Sequence, residues 1–139
     1  MLNLLFVFLG GAIGSVLRYE ISTWFHNISA TFWANVLGCF LFGILTIILL
    51  EKKKYLPKNL PSALITGFCG GLTTFSTFSY EVSRYVLNAQ YVTASYYMFL
   101  SLIVGIFSVY AGIELGRIVL KLHLENKRAI LHREFLEGK

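Results

Sequence analysis

Gly67-Phe68-Cys69-Gly70-Gly71-Leu72-Thr73-Thr74-Phe75-Ser76-Thr77-Phe78-Ser79-Tyr80-Glu81 lies in the middle of an apolar segment long enough to cross a bilayer, and it is a poor helix. Each of its glycines costs roughly 1 kcal/mol against alanine in a helix interior, and the β-branched and hydroxylic run after them adds smaller penalties, so the span is expected to open near its centre. In hydrocarbon the freed N–H and C=O groups need partners. Backbone that leaves the helix at membrane depth is tolerated only where protein buries it or where it lines a polar cavity, and its carbonyls can then hold an ion.

The rest of the chain supports a membrane setting. Of 139 residues, 56% are hydrophobic and 14% charged, against roughly 25% charged in soluble proteins. At about 20 residues per crossing there is room for four or five spans in one compact domain, and a bundle that small is expected to oligomerise. Cys39 and Cys69 sit in apolar segments without CxxC spacing and read as small buried apolar residues. His26, His123 and His132 fall in a turn and in the tail, which argues against a histidine-ligated metal. The first charge is Arg18, so the basic region that precedes a cleavable signal core is missing and the first helix is expected to stay. The net charge of +5 is explained by membrane sidedness and requires no nucleic acid.

Four spans are expected, at 2–25, 31–50, 62–86 and 92–120, forming a four-helix transmembrane domain over residues 1–121 with a charged tail at 122–139. The first carries Gly10, Gly11 and Gly14, small residues that allow close helix approach. Arg18 lies roughly 24 Å along a helix from Leu2. It fits both a snorkelling anchor and a functional intramembrane cation. His26 to Ala30 form a polar turn. In the second span Asn35 is the one strong hydrogen-bonding group, and a role in a polar pathway is preferred over simple helix fastening. Glu51 to Pro61, with four lysines and two prolines, is the clearest loop. The fourth span places Ser101, Gly105, Ser108 and Gly112 on one face. The tail from His123 reads as interfacial or solvated. Four crossings put Lys52, Lys53, Lys54, Lys58, Arg117, Lys121, Lys127, Arg128, Arg133 and Lys139 on one side, cytoplasmic by the positive-inside rule, with Arg84 opposite.

Phe75 and Phe78 are three apart, which on helical backbone aligns their rings, and Thr73, Thr74, Ser76, Thr77 and Ser79 interleave hydroxyls with them. Hydroxyls donate hydrogen bonds and aromatic edges are electropositive, so this wall suits a small, hard anion that exchanges water for donors; among halides, fluoride depends most on such donors. An organic cation would prefer ring faces and a carboxylate.

Gly10 to Tyr19 with Arg18, Asn35 with Gly38, and above all Gly67 to Ser79 with Glu81 resemble the fluoride channels of the Fluc (CrcB) family, over roughly residues 2 to 120. The resemblance implies an all-α membrane protein whose subunit has four transmembrane helices, the third broken at mid-membrane, paired head to tail as an antiparallel dual-topology dimer in the inner membrane. It implies two fluoride routes and a central sodium ion held by the backbone carbonyls of Gly70 and Thr73. Phe75 and Phe78 match the pathway phenylalanines, Asn35 the pathway asparagine and Arg18 the arginine near the aqueous mouth. Ser76 and Thr74 are their neighbours, Tyr97 and Ser101 extend a polar track on the fourth span, and Glu81 joins the set without an assigned role. The implied function is passive fluoride export, with no catalytic residue. The one-sided lysine and arginine distribution departs from a chain that inserts in both orientations, and suggests pairing with an oppositely oriented homologous chain.

Two rivals are open. A small multidrug-resistance-type proton/cation exporter also has four helices but needs an intramembrane carboxylate, and Glu20 lies too near a helix end. A non-transporting assembly factor would use its glycine faces for packing alone. Neither explains the glycine break together with the hydroxyl and phenylalanine run.

Overall fold

The computed structural model describes residues 2–25, 29–52 and 55–136, and every regular element among them is helical. Helix α1 spans Leu2–Trp24 and α2 spans Ser29–Glu51. The third span is split. Its first half, α3, is π-helical over Ser62–Cys69 and closes with the α-helical turn Gly70–Leu72; its second half, α4, covers Phe75–Leu87. Helix α5 covers Tyr91–Leu136. Within α1, α2 and α5 the runs Asn3–Trp24, Ala30–Glu51 and Tyr91–Asn126 are long and apolar enough to cross a membrane, and with the split span they make a four-helix membrane protein. Of the expected polar turn, His26 to Ile28 lie outside the described residues, as do Lys53 and Lys54 of the lysine loop and residues 137–139 of the tail; Ser29 and Ala30 already belong to α2.

Helix α1 lies along α3, α2 lies along α5, and α4 rests on α5. Lipid provides no hydrophobic drive between helices, so contact depends on small residues that let backbones meet. A Cβ on Gly10 would run into the Ala63 carbonyl, and one on Gly14 into that of Phe68. Gly43 and Gly112 play the same part between α2 and α5, against the carbonyls of Val109 and Phe40. Gly10 touches Ala63 and Phe68 together. That five-residue step is the pitch of a π-turn, and such turns gather at functional positions.

The helix ends where the sequence says it should. Thr73 (φ −81°, ψ 159°) and Thr74 (φ −147°, ψ 121°) are extended. Thr74 then caps α4, its Oγ1 accepting the Thr77 N–H at 3.2 Å. Helix α4 finishes in a Schellman-type turn: Gln90 N–H donates to the Tyr85 carbonyl (2.9 Å) and Ala89 N–H to that of Val86 (3.0 Å). Ala89 holds the left-handed position there, at φ 56°. Helix α5 does not stop where its apolar run stops. It continues through Lys121 and Glu125, four residues apart with charged groups 4.0 Å from each other, in a sequence rich in strong helix formers.

Candidate functional site

The extended pair Thr73–Thr74 interrupts the backbone ladder, and the partners of each freed group can be followed. Thr73 N–H still reaches the Cys69 carbonyl (3.0 Å), and its hydroxyl donates to the same oxygen (2.9 Å). Thr74 is held by the side chain of Asn35. The Asn35 Oδ1 accepts the Thr74 N–H at 2.7 Å, and Nδ2 donates to the Thr74 carbonyl at 3.1 Å. A side-chain carboxamide carries both a donor and an acceptor and so can replace both backbone partners of a single residue, and here that of Asn35 acts as a strand would. On the opposite side Arg18 turns inward. Its Nε donates to the Gly71 carbonyl at 3.1 Å, joined by the Ser15 hydroxyl at 3.5 Å.

Three carbonyls at the break have no hydrogen-bond donor among the described residues, those of Gly70, Leu72 and Thr73. A Cβ built on Gly70 meets nothing within 4 Å. The backbone there is open to whatever lies beside the chain.

Two spaces flank Thr74. A polar hollow of ≈ 310 Å³ is lined by Ser15, Arg18, Ser22, Thr31, Thr74 and Thr77. A more apolar groove of ≈ 620 Å³ is lined by Asn35, Thr73, Thr74, Phe75, Phe78 and Ser101. Thr74 belongs to both, so its residue is the wall between them. Its hydroxyl donates to Thr77 Oγ1 at 3.0 Å and shares a 3.3 Å contact with Ser76 Oγ, which gives the wall a short ladder of hydroxyls. The Phe75 and Phe78 rings are 6.1 Å apart, and Phe78 continues to Tyr97 at 5.2 Å. Phe75 is 80% exposed in the single chain.

Glu81 is buried behind these rings. Its Oε1 accepts the Thr31 hydroxyl at 2.6 Å and its Oε2 the Tyr97 hydroxyl at 2.7 Å. One turn along α5, the Ser101 hydroxyl is buried and has no hydrogen-bond partner among the described residues. Such an orphan is rare in a protein interior and calls for an occupant.

The structure thus brings Arg18, Asn35, Gly70, Thr73 and Thr74 together at the break, with Phe75, Ser76 and Phe78 along the groove and Glu81, Tyr97 and Ser101 behind it. Thr77, one of the hydroxyls expected from the sequence to interleave with the rings, joins the assembly, whereas Thr31 and Ser15 had been given no place in it. Thr31 is one helical turn from Asn35, and that i, i+4 spacing on an otherwise apolar helix was the available signal. Among the described residues no group of three or more His, Cys, Asp or Glu side chains is placed to hold a metal ion, so a cation here would rest on backbone oxygen.

Comparison with known proteins gives a consistent result. The family model described as CrcB-like protein, Camphor Resistance (CrcB), matches residues 5–113. A protein named fluoride-specific ion channel FluC from Oceanobacillus iheyensis is 43% identical over 120 residues, covering 84% of this chain and 92% of the relative. Proteins of the same name from Gloeothece citriformis and Hahella chejuensis are 42% identical over 121 residues and 40% identical over 124 residues; they cover 83% and 85% of this chain and 97% of each relative.

Proposed function

Because this chain belongs to the CrcB family, we propose that it is a fluoride-selective channel of the plasma membrane, which lets fluoride leave the cytoplasm down its electrochemical gradient without a catalytic step. The observation that carries this reading is the break at Thr73–Thr74, where hydroxyl donors and ring edges line adjoining spaces. A small anion entering low dielectric must exchange its hydration for donors fixed in advance. The hollow at Arg18 serves as the aqueous mouth, and the groove along Phe75, Phe78 and Ser101 as the route onward. The orphaned Ser101 hydroxyl is free to donate to a passing anion, with Tyr97 and Glu81 beside it fixing the polar track.

The break is proposed to lie at the membrane midplane and to hold a sodium ion. The unpartnered carbonyls of Gly70 and Thr73 fit that ion, since half-helix ends offer hard oxygen ligands to Na⁺. Once bound, the ion supplies positive charge that offsets part of the cost of bringing an anion into the bilayer. One chain offers too few oxygens to enclose a cation. The openness at Gly70 and the exposure of Phe75 support a reading in which an antiparallel second subunit, either another copy or an oppositely oriented homologous chain, supplies the missing half.

The exporter reading gains nothing from Glu81, because both of its carboxylate oxygens already accept hydroxyls from within the chain. The test is fluoride efflux from proteoliposomes of the purified protein, with the partner chain included where one is needed. Fluoride flux far above chloride is expected, and equal flux of the two ions overturns the reading.

A further inference from the structure

The first half of α3 winds more widely than the other spans, and the glycine and threonine break does not require it. A π-turn takes roughly 4.4 residues, since each N–H bonds five residues back, and a run of it over Ser62–Cys69 is rare. Three small residues of this span press against α1 at intervals of four. Ala63 meets Gly10, Gly67 meets Val7, Gly10 and Gly11, and Gly71 meets Gly11, each through backbone. At the α-helical pitch of about 100° per residue such a set does not stay on one side. Gly71 would stand about 80° round from Ala63, and Gly70, about 20° from it, would face α1 instead. With a π pitch of about 82° per residue as far as Cys69 and the α pitch after it, Gly71 returns to within about 30° of Ala63. Gly70 is then turned roughly 130° away. Burial agrees. Ala63 and Gly67 are buried, whereas Thr66 and Gly70, each just before a packed glycine, are exposed.

We infer that the third span carries one residue more than an α-helix needs between the lysine loop and the break, and that the π winding absorbs it, so that Gly71 packs and Gly70 faces outward. The winding is a positioning device for the break. Wound as an α-helix, the same chain would exchange the two glycines and seat Gly70 on α1. It would also carry the Gly71 carbonyl away from Arg18 Nε and the Ser15 hydroxyl, which donate to it. Close backbone contact with α1 along the line of small residues offsets the disfavour of so rare a winding. The consequence for a cation rests on the reading of the Gly70 and Thr73 carbonyls as its ligands; the register does not.

Deletion of Ile65 tests this. Ile65 lies about 160° from Ala63 on the π turn, on the side away from α1. In the shortened span seven α-helical steps lead from Ala63 to Gly71 and end within about 20° of the same line, so the segment should wind as an α-helix and keep its contacts. The protein should be obtained at more than about half the parent's yield, with a melting midpoint within about 5 °C of it. Leu45 lies in α2, an α-wound span whose Phe40, Ile44 and Ile47 meet Gly112 and Gly116 of α5. Deleting it there turns Ile47 away from its partner and should abolish the folded protein. In the Ile65-deleted chain Gly71→Ala should still lower the midpoint, and Gly70→Ala should not. An Ile65 deletion as damaging as that of Leu45 overturns the inference, and so does a reversal of the alanine pair. Any rise in midpoint when sodium chloride replaces choline chloride should be equal in the parent and the Ile65-deleted protein. A rise that the deletion abolishes overturns the positioning of Gly70. No rise in either refutes the sodium reading alone, and the alanine pair still decides the register.

Discussion

Asn35 shows what a single side chain must do at a broken helix in lipid. Its amide satisfies both backbone groups of Thr74, at 2.7 Å and 3.1 Å. Alanine in its place leaves a buried N–H and a buried C=O unpaired, at about 1–3 kcal/mol for each group left dry. Asn35→Ala is therefore expected to lower thermal stability in detergent and to reduce fluoride efflux by at least roughly tenfold, because the break it holds is also the wall between the two spaces. Unchanged efflux at normal protein yield would remove Asn35 from the mechanism. A second residue makes an opposite case. Ala89 occupies the left-handed position that glycine takes without strain, whereas an L side chain there is destabilised by roughly 1–2 kcal/mol. Ala89→Gly should raise the melting midpoint, with a net gain of about 0.5–1 kcal/mol once glycine's extra freedom in the unfolded chain is counted. Efflux should not change, since the turn touches neither space.

At the scale of the helix, adjacent glycines in the broken span have different tasks. A Cβ on Gly71 would strike the Gly11 carbonyl, and backbone cannot move aside as a side chain can. Gly71→Ala should part α1 from α3 and cost about 1–3 kcal/mol, read as a lower melting midpoint and lower yield. Gly70→Ala meets nothing within the chain. It should leave the subunit folded and act only on what lies beside it, weakening the proposed pairing with a second subunit and the proposed sodium dependence of stability, measured with and without sodium chloride. If both substitutions behaved alike, the separation between packing glycine and open glycine would be wrong. The break itself was legible in the sequence, because glycine and threonine penalties are local and add up over a few residues. The π-helical winding of Ser62–Cys69 was not, since it follows from which backbone atoms Gly10 and Gly14 press against on another helix. The same holds for the environment of Glu81. Its partners Thr31 and Tyr97 are 50 and 16 residues away in sequence, and only folding reveals that the carboxylate is enclosed by hydroxyls. The end of α5 escaped hydropathy for a simpler reason: a helix needs no apolar run to continue, only good formers and paired charges.

For the whole molecule the decisive quantity is orientation. A homodimer of antiparallel subunits requires the chain to insert both ways, yet its cations are placed almost entirely on one side of four crossings. The lysine loop and the basic end of α5 both stand there, and only Arg84 in the last turn of α4 clearly opposes them. A bias that strong should fix one topology. Glu125→Cys gives an exposed reporter on α5, while the native Cys69 is buried and Cys39 lies partly buried within a span. An impermeant maleimide applied to intact cells is then expected to leave this cysteine unlabelled, and to label it fully after lysis. The same chain purified alone should conduct little fluoride, and conduct strongly when produced with an oppositely oriented homologous chain. Labelling of about half the population from outside would instead mean dual insertion, and the homodimer would suffice. Lys52→Gln, Lys58→Gln and Lys121→Gln together should move the chain toward that mixed state if charge alone sets the direction, because each lysine near a span end contributes to holding its loop inside. Orientation and conduction then become one measurement, since an antiparallel pair can form from this chain only to the extent that some copies insert the other way.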